Sequence, residues 1–257
     1  MSVRRGRFLL HWLPLVAVAA LWEALCAAGI IPDNRLPPPT RVLSGLLELL
    51  ARGLPPGSHL LGHCAASLRR VLAGVGAALL VAIPLGLVLG RSARLRAAAQ
   101  PFIELTRPIP PLAWVPLAIL WFGIGDLSAA FIIFLGAFFP ILLNTLSGVL
   151  SIERGLIEAA VILGASRRDL FLKVLAPGAL PATFTGVRIA VGVGWMTLVA
   201  AEFTGVRSGY GLGYMIMTAR DIQRADQIVA GMLVIGLIGF AMDALIRVAE
   251  RRLLRWR

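Results

Sequence analysis

The chain has 257 residues, of which 58% are hydrophobic and only 15% charged, with a net charge of +12; its mean hydropathy is +0.86. A surface that faces water needs about 25% charged residues, so a soluble enzyme and a disordered chain are both excluded. What is left is a polytopic membrane protein, an all-α helix bundle.

Lys173 is the sole lysine, and every other basic residue is arginine. These arginines form small clusters beside apolar runs. No basic stripe carries aromatic residues on which bases could stack, so the charge reads as anchoring at a bilayer and not as a nucleic-acid surface.

Crossing a bilayer as a helix takes about 20 predominantly apolar residues. Six windows qualify: 8–31, 66–90, 102–125, 128–150, 182–205 and 227–249. The first follows Arg4, Arg5 and Arg7, as a secretory signal would. Its apolar run is too long for one, and no small-x-small site ends it, so an uncleaved helix is expected. Six spans place both termini on one side. With that side cytoplasmic, fifteen basic residues lie inside and six outside, which puts both ends in the cytoplasm.

After the first window comes a Pro37-Pro38-Pro39 linker and then 40–52, where Val42, Leu43, Leu46, Leu47 and Leu50 recur at helical spacing. Arg41, Ser44, Glu48 and Arg52 take the other face, and Thr40 is placed to cap the start. A short amphipathic helix on the outer membrane surface is expected. His59, His63 and Cys64 are too few ligands for a closed metal site, so no metal is expected. Cys26 and Cys64 leave a disulfide open as an alternative to free thiols.

Within the spans, Gly86-x3-Gly90 and Gly186-x3-Ala190-x3-Gly194 place small residues on one helix face, which lets backbones approach closely in lipid. The third window carries Pro108, Pro110, Pro111 and Pro116 just after Arg107. Broken backbone at membrane depth is tolerated where protein or a watery cavity satisfies it, so this segment is a candidate lining of a transport path. Arg188, near the inner end of the fifth window, and Glu202, near its outer end and within reach of Arg207, are charges that lipid disfavours. Together with Arg107, Pro108, Pro110 and Trp195 they make up the candidate translocation path. Glu23 and Asp243 pose the same question.

The loop 151–181 is too long for a plain connection. Leu156, Ala159, Ala160 and Leu163 form an apolar helical face, Gly164 suits a left-handed cap, and Ser166 suits the cap of a second turn bearing Leu170, Phe171 and Val174. Two short helices with a sharp bend, ending before Pro177 and Pro181, would project from the membrane as a knob. No Gly-x4-Gly-Lys-Ser/Thr phosphate loop exists in the chain, so no ATP hydrolysis is expected of it.

Glu158-Ala159-Ala160-x3-Gly164-x9-Val174-Leu175-Ala176-Pro177 resembles the EAA loop of ABC-importer permeases, with Val174 for the usual Ile and Ala176 for the usual Leu. The similarity runs over about 36–256. Leu36-Pro37-Pro38-Pro39, Ser67-Leu68-Arg69-Arg70, Arg107-Pro108-Ile109-Pro110, Leu120-Trp121-Phe122-Gly123, Ala201-Glu202 and Trp256 resemble the branch that imports nitrate, sulfonates and taurine. The resemblance implies a six-span type I importer permease fold in a bacterial inner membrane. It divides the chain into a leading helix with the outer segment (1–59), the permease domain (60–250) and a basic tail (251–257).

It also implies a second permease copy, two copies of an ATPase subunit that holds ATP with magnesium, and an external solute-binding protein. Glu158, Ala159, Ala160, Gly164, Ala165 and Pro177 would then contact the ATPase. No catalytic residue and no cofactor are expected in this chain, and the cargo would be a small anion such as a sulfonate, taurine or nitrate. Two other readings remain at this point. An ATP-independent transporter or channel would show buried ionisable groups for ion coupling, and a membrane enzyme would need convergent catalytic groups.

Overall fold

A computed structural model describes residues 2–33, 35–203 and 209–254, and its regular elements are all helical. In chain order they are α1 (Ser2–Ala27), α2 (Pro39–Ala51), α3 (Leu60–Arg91), α4 (Ala93–Thr106), a 3-10 turn (Pro111–Trp114), α5 (Val115–Phe122) and α6 (Asp126–Leu150). Then come α7 (Arg154–Ile162), α8 (Arg167–Asp169), a π-helical turn (Leu170–Leu175), α9 (Ala176–Phe203), α10 (Leu212–Asp221) and α11 (Ala225–Leu253). Among the described residues α3, α6, the continuous run Arg167–Phe203 and α11 are long and apolar enough to cross a bilayer. Val16–Ala27 and Pro111–Phe122 are shorter apolar stretches.

The core is α6 packed between α3 and α9. Both small-residue stripes face α6. A Cβ at Gly86 would stand 3.0 Å from the Leu142 carbonyl oxygen, and one at Gly186 would stand 2.8 Å from that of Pro140. Ala190 is fully buried on the same stripe. Lipid offers no hydrophobic drive between helices, so this close backbone approach is what packs the three together. Only Asp226, Gln227, Ala230 and Gly231 of α11 are buried, leaving Leu233, Leu237, Phe240 and Leu245 exposed on a surface that suits lipid.

The third window is not one helix. α4 ends at Thr106, and Pro108–Pro110 pass without helical structure into the 3-10 turn and α5. Pro111 and Pro116 occupy first or second positions of their elements, where a missing amide is harmless. Pro108 and Pro110 supply no amide and restrict the residues before them, which stops α4 from continuing.

The second knob helix does not stop before Pro177. It continues through α8 and the π turn into α9, and both Pro177 and Pro181 lie inside helix. In the π turn the Ala176 amide reaches back five residues to Phe171. That wider turn gives a proline ring the room that a strict α-helix denies it.

The outer segment also differs from expectation. Pro38, not Thr40, is the cap residue of α2, and the Thr40 amide and hydroxyl donate to the Glu23 carboxylate of α1 at 3.1 and 2.8 Å. Glu23 thus supplies the anion that an uncapped helix start attracts. Val42, Gly45 and Leu49 are the buried face of α2, which packs on α11; Leu43, Leu47 and Leu50 remain exposed. Glu48, assigned to the polar face, accepts from Arg224 at 2.5 Å just before α11. Cys26 and Cys64 are free thiols, and Cys26 Sγ donates to the Leu36 carbonyl.

Candidate functional site

At the end of α6 marked by Leu150, α7 and α8 form the bent projection. Gly164 adopts φ +80°, a conformation that costs other L-residues about 1–2 kcal/mol. The Gly164 amide donates to Val161 O and the Ala165 amide to Ala160 O, at 2.9 and 3.0 Å, the paired bonds of a left-handed helix stop. Ser166 Oγ then accepts from the Asp169 amide at 3.1 Å and so caps the following helix.

Ile157 and Phe171 anchor the knob against Val149, Leu175 and Ala179, with the Arg91 guanidinium 6.0 Å from the Phe171 ring. The opposite face is bare. Leu156 is 59% exposed, Ile162 84% and Leu163 87%. Glu158, Ala159 and Gly164 are exposed, and Ala160, Ala165 and Pro177 are half-buried. The apolar face read from the sequence is therefore turned away from this chain, and Ile157, which was not assigned to it, holds the knob down.

The broken third segment borders two half-open cavities of about 540 and 460 Å³. Trp114, Phe138, Phe139, Asn144 and Val193 wall the larger one, and Arg96, Gln100, Glu104 and Pro108 the smaller. Arg107 and Leu143 line both. Of the candidate path residues the structure brings Arg107 and Pro108 together here. Pro110 lies between lining residues without itself lining either space.

Arg188, Trp195 and Glu202 line neither of these cavities. Arg188 Nε donates to Asp243 Oδ1 at 3.0 Å, and Asp243 also pairs with Arg247 at 2.8 Å, so Arg188 is a tie between α9 and α11. Trp195 Nε1 donates to the Ile235 carbonyl at 3.1 Å, a second such tie.

Glu202 is fully buried at the other end of α6, near Asp126. Ser67 Oγ donates to it at 2.8 Å, Arg70 Nη1 at 2.5 Å and the Gly213 amide at 2.8 Å. Arg70, also buried, reaches Asp126 through Nε at 2.8 Å. Ser67 Oγ accepts from the Leu212 amide, and the Gly211 amide donates to His63 Nδ1 at 3.0 Å. A Cβ at Gly211 would sit 2.7 Å from the Glu202 carboxyl, so only glycine admits this approach. Arg207, the partner foreseen for Glu202, lies outside the described residues, as does Trp256.

Sequence reasoning missed this cluster. The available signal was that His63, Ser67, Arg70 and Gly74 fall on one stripe of α3, the stripe whose Gly74 packs against the Ala130 carbonyl. Polar residues on a packing stripe must find partners inside the bundle. With its carboxylate saturated by donors, Glu202 is built into the structure and is not a vacant site for ion coupling.

Residues 82–255 match the family described as binding-protein-dependent transport system inner membrane component. A Methanocaldococcus jannaschii protein named for the ABC transporter permeases is 45% identical over 95% of this chain and 90% of its own length. The taurine transport system permease protein of Escherichia coli is 40% identical over 94% of this chain and 87% of its own. The nitrate import permease protein of Leptolyngbya laminosa is 33% identical over 88% and 80%. Among solved structures, the inward-facing MetNI methionine ABC transporter superposes with a TM-score of 0.64 at 23% identity, over 76% of this chain and 94% of that one, a likeness of fold. The chain belongs to the binding-protein-dependent inner membrane components of ABC importers, as a multi-pass transport subunit that is not itself an enzyme.

Proposed function

We propose that this permease forms, with a second copy of itself, the path through which a small anion such as a sulfonate, taurine or nitrate is imported. A solute-binding protein delivers the anion from outside, and two copies of an ATPase subunit bind ATP with magnesium in the cytoplasm. Both termini and the knob lie on the cytoplasmic side. Glu158, Ala159, Ala160, Gly164 and Ala165 enter a groove on the ATPase, and Pro177 stands where the knob joins α9.

One observation carries this reading: the knob presents bare Leu156, Ile162 and Leu163 beside small Ala159 and Ala160. An exposed apolar patch rimmed by polar residues marks an interaction surface. The helical run from Arg167 to Phe203 is unbroken, so motion imposed on the knob passes along α9. Val193 of α9 walls the larger cavity. ATP binding thus reaches the path through one rigid element. The partner must favour one arrangement over the other for such a shift to occur.

The test combines Glu158→Lys with Ala160→Trp in the complex reconstituted into vesicles. We expect loss of ATPase-subunit copurification and of ATP-dependent taurine uptake. Unchanged copurification together with unchanged uptake would remove the knob from the mechanism.

A further inference from the structure

We infer that Arg107 is an anion-binding residue inside the path, a way station at which a small monovalent oxoanion pauses between the two cavities. The inference rests on the transport reading above and assigns a binding residue to it.

Arg107 is exposed, at the end of α4, and lines both the 540 and the 460 Å³ spaces. Among the described residues it makes no ion pair, whereas Arg70, Arg188 and Arg224 all do. Glu104, one turn earlier in the smaller cavity, is held by Gln100 Nε2 at 2.7 Å and forms no ion pair with Arg107. A guanidinium within a membrane bundle without a carboxylate partner is costly unless it faces a watery space or a mobile counter-charge.

The surroundings narrow the ligand. The wall of the larger cavity is apolar and aromatic, from Trp114, Phe138 and Phe139, and Asn144 is its polar neighbour. Asn144 Nδ2 donates one hydrogen to the Pro140 carbonyl at 2.8 Å and keeps a second N–H that can support the anion beside Arg107. A planar guanidinium offers a two-pronged donor fork that fits a sulfonate, nitrate or carboxylate. Among the described residues Arg107 is the one charged side chain lining the larger cavity, while Arg96 stands on the smaller one, so an anion held in the larger space meets a single fixed positive charge, which suits a monoanion. The aromatic wall suits a short organic tail.

The break in the third segment explains how Arg107 comes to be there. Stopping α4 at Thr106 places Arg107 where two spaces meet.

The experiment uses the complete complex of permease, ATPase subunit and binding protein in vesicles, with labelled taurine, ethanesulfonate and nitrate as probes. Wild type is expected to take up at least one of them in an ATP-dependent manner. Arg107→Gln should lower that uptake at least tenfold while still copurifying with the ATPase subunit, and Arg107→Lys should recover a substantial part of it. Uptake by Arg107→Gln at the wild-type rate overturns the inference and leaves the transport reading standing. If wild type carries only solutes that lack a sulfonate, nitrate or carboxylate group and none of these three, the anion assignment falls while the permease function survives. If wild type takes up nothing with ATP, the transport reading itself fails.

Discussion

Beside Asp126, at one end of α6, Arg70 and Glu202 are fully buried and every oxygen of the Glu202 carboxylate has a donor. Beyond Leu150, at the other end, Ile162 and Leu163 are 84% and 87% exposed and touch nothing that would keep them from water. The first region has paired its charged groups internally, and the second has left its apolar groups unused. A saturated buried cluster fixes one geometry, since any displacement strands a charge in a low-dielectric interior. An uncovered apolar surface does the opposite, because it gains by acquiring a neighbour. The fold is thus closed at the Asp126 end and open to a partner at the knob.

The largest expected effect lies at the closed end. Arg70→Ala removes the partner of a buried Glu202, which costs about 3–5 kcal/mol in comparable buried pairs. It should lower the unfolding temperature of the detergent-solubilised protein more than any single knob substitution. Replacing both residues with Leu should cost less than Arg70→Ala alone, since no lone charge then remains buried. A double variant as unstable as the single one would show that the cluster is not held by charge compensation.

Much of the knob was legible in advance because its geometry is local. Gly164 and Ser166 dictate a left-handed stop and a new cap within three residues, and both are short-range chemistry. The closed end was not legible, because Arg70 and Glu202 are 132 residues apart and no local rule pairs them. The Glu23–Thr40 tie was missed for the same reason, across 17 residues. The π turn was missed because Pro177 reads as a helix stop, and only the wider turn ahead of it lets the helix proceed. The second, fourth, fifth and sixth windows correspond to α3, α6, the Arg167–Phe203 run and α11, whereas α1 stops at Ala27 with a shorter apolar stretch over Val16–Ala27 and four prolines between Pro108 and Pro116 divide the third window.

A middle-sized effect is expected where the knob bends. Gly164→Ala forces a Cβ into φ +80°, at about 1–2 kcal/mol. That Cβ would meet no atom within 4 Å, so the cost is purely backbone strain. Hydrogen exchange should quicken in α7 and not in α3, and Gly164→Asn should be milder. Uniform quickening across both helices would mean that the knob is not separable from the closed end.

Smaller still is the tie from α2 to the segment before α11. The hydrogen bond from Arg224 holds the Glu48 carboxyl below the usual carboxylate range, and Arg224 is itself raised, first by its hydrogen bonds to Asp226 and then by the one to Glu48. Both side chains are about a third exposed, so solvent limits the pair to below about 1 kcal/mol. A lowered carboxylate pKa means the contribution is complete above the ordinary carboxylate value, near 4.5, and is lost as pH falls through the depressed one. Glu48→Gln should erase that acid sensitivity and leave stability at neutral pH nearly unchanged. Retention of the same acid transition in Glu48→Gln would assign it to another carboxylate.

The smallest effect on stability is expected from Leu163→Ser, and it sharpens the comparison most. Leu163 is 87% exposed, so serine there removes almost no packing and should shift stability by less than about 0.5 kcal/mol. If the residue is exposed because a partner covers it in the assembly, the same substitution should still weaken capture of the ATPase subunit. A protein that unfolds at its usual temperature yet fails to hold its ATPase separates stability from assembly in one measurement. Loss of both together would place Leu163 in the chain's own packing, and loss of neither would leave the bare face of α7 without a partner.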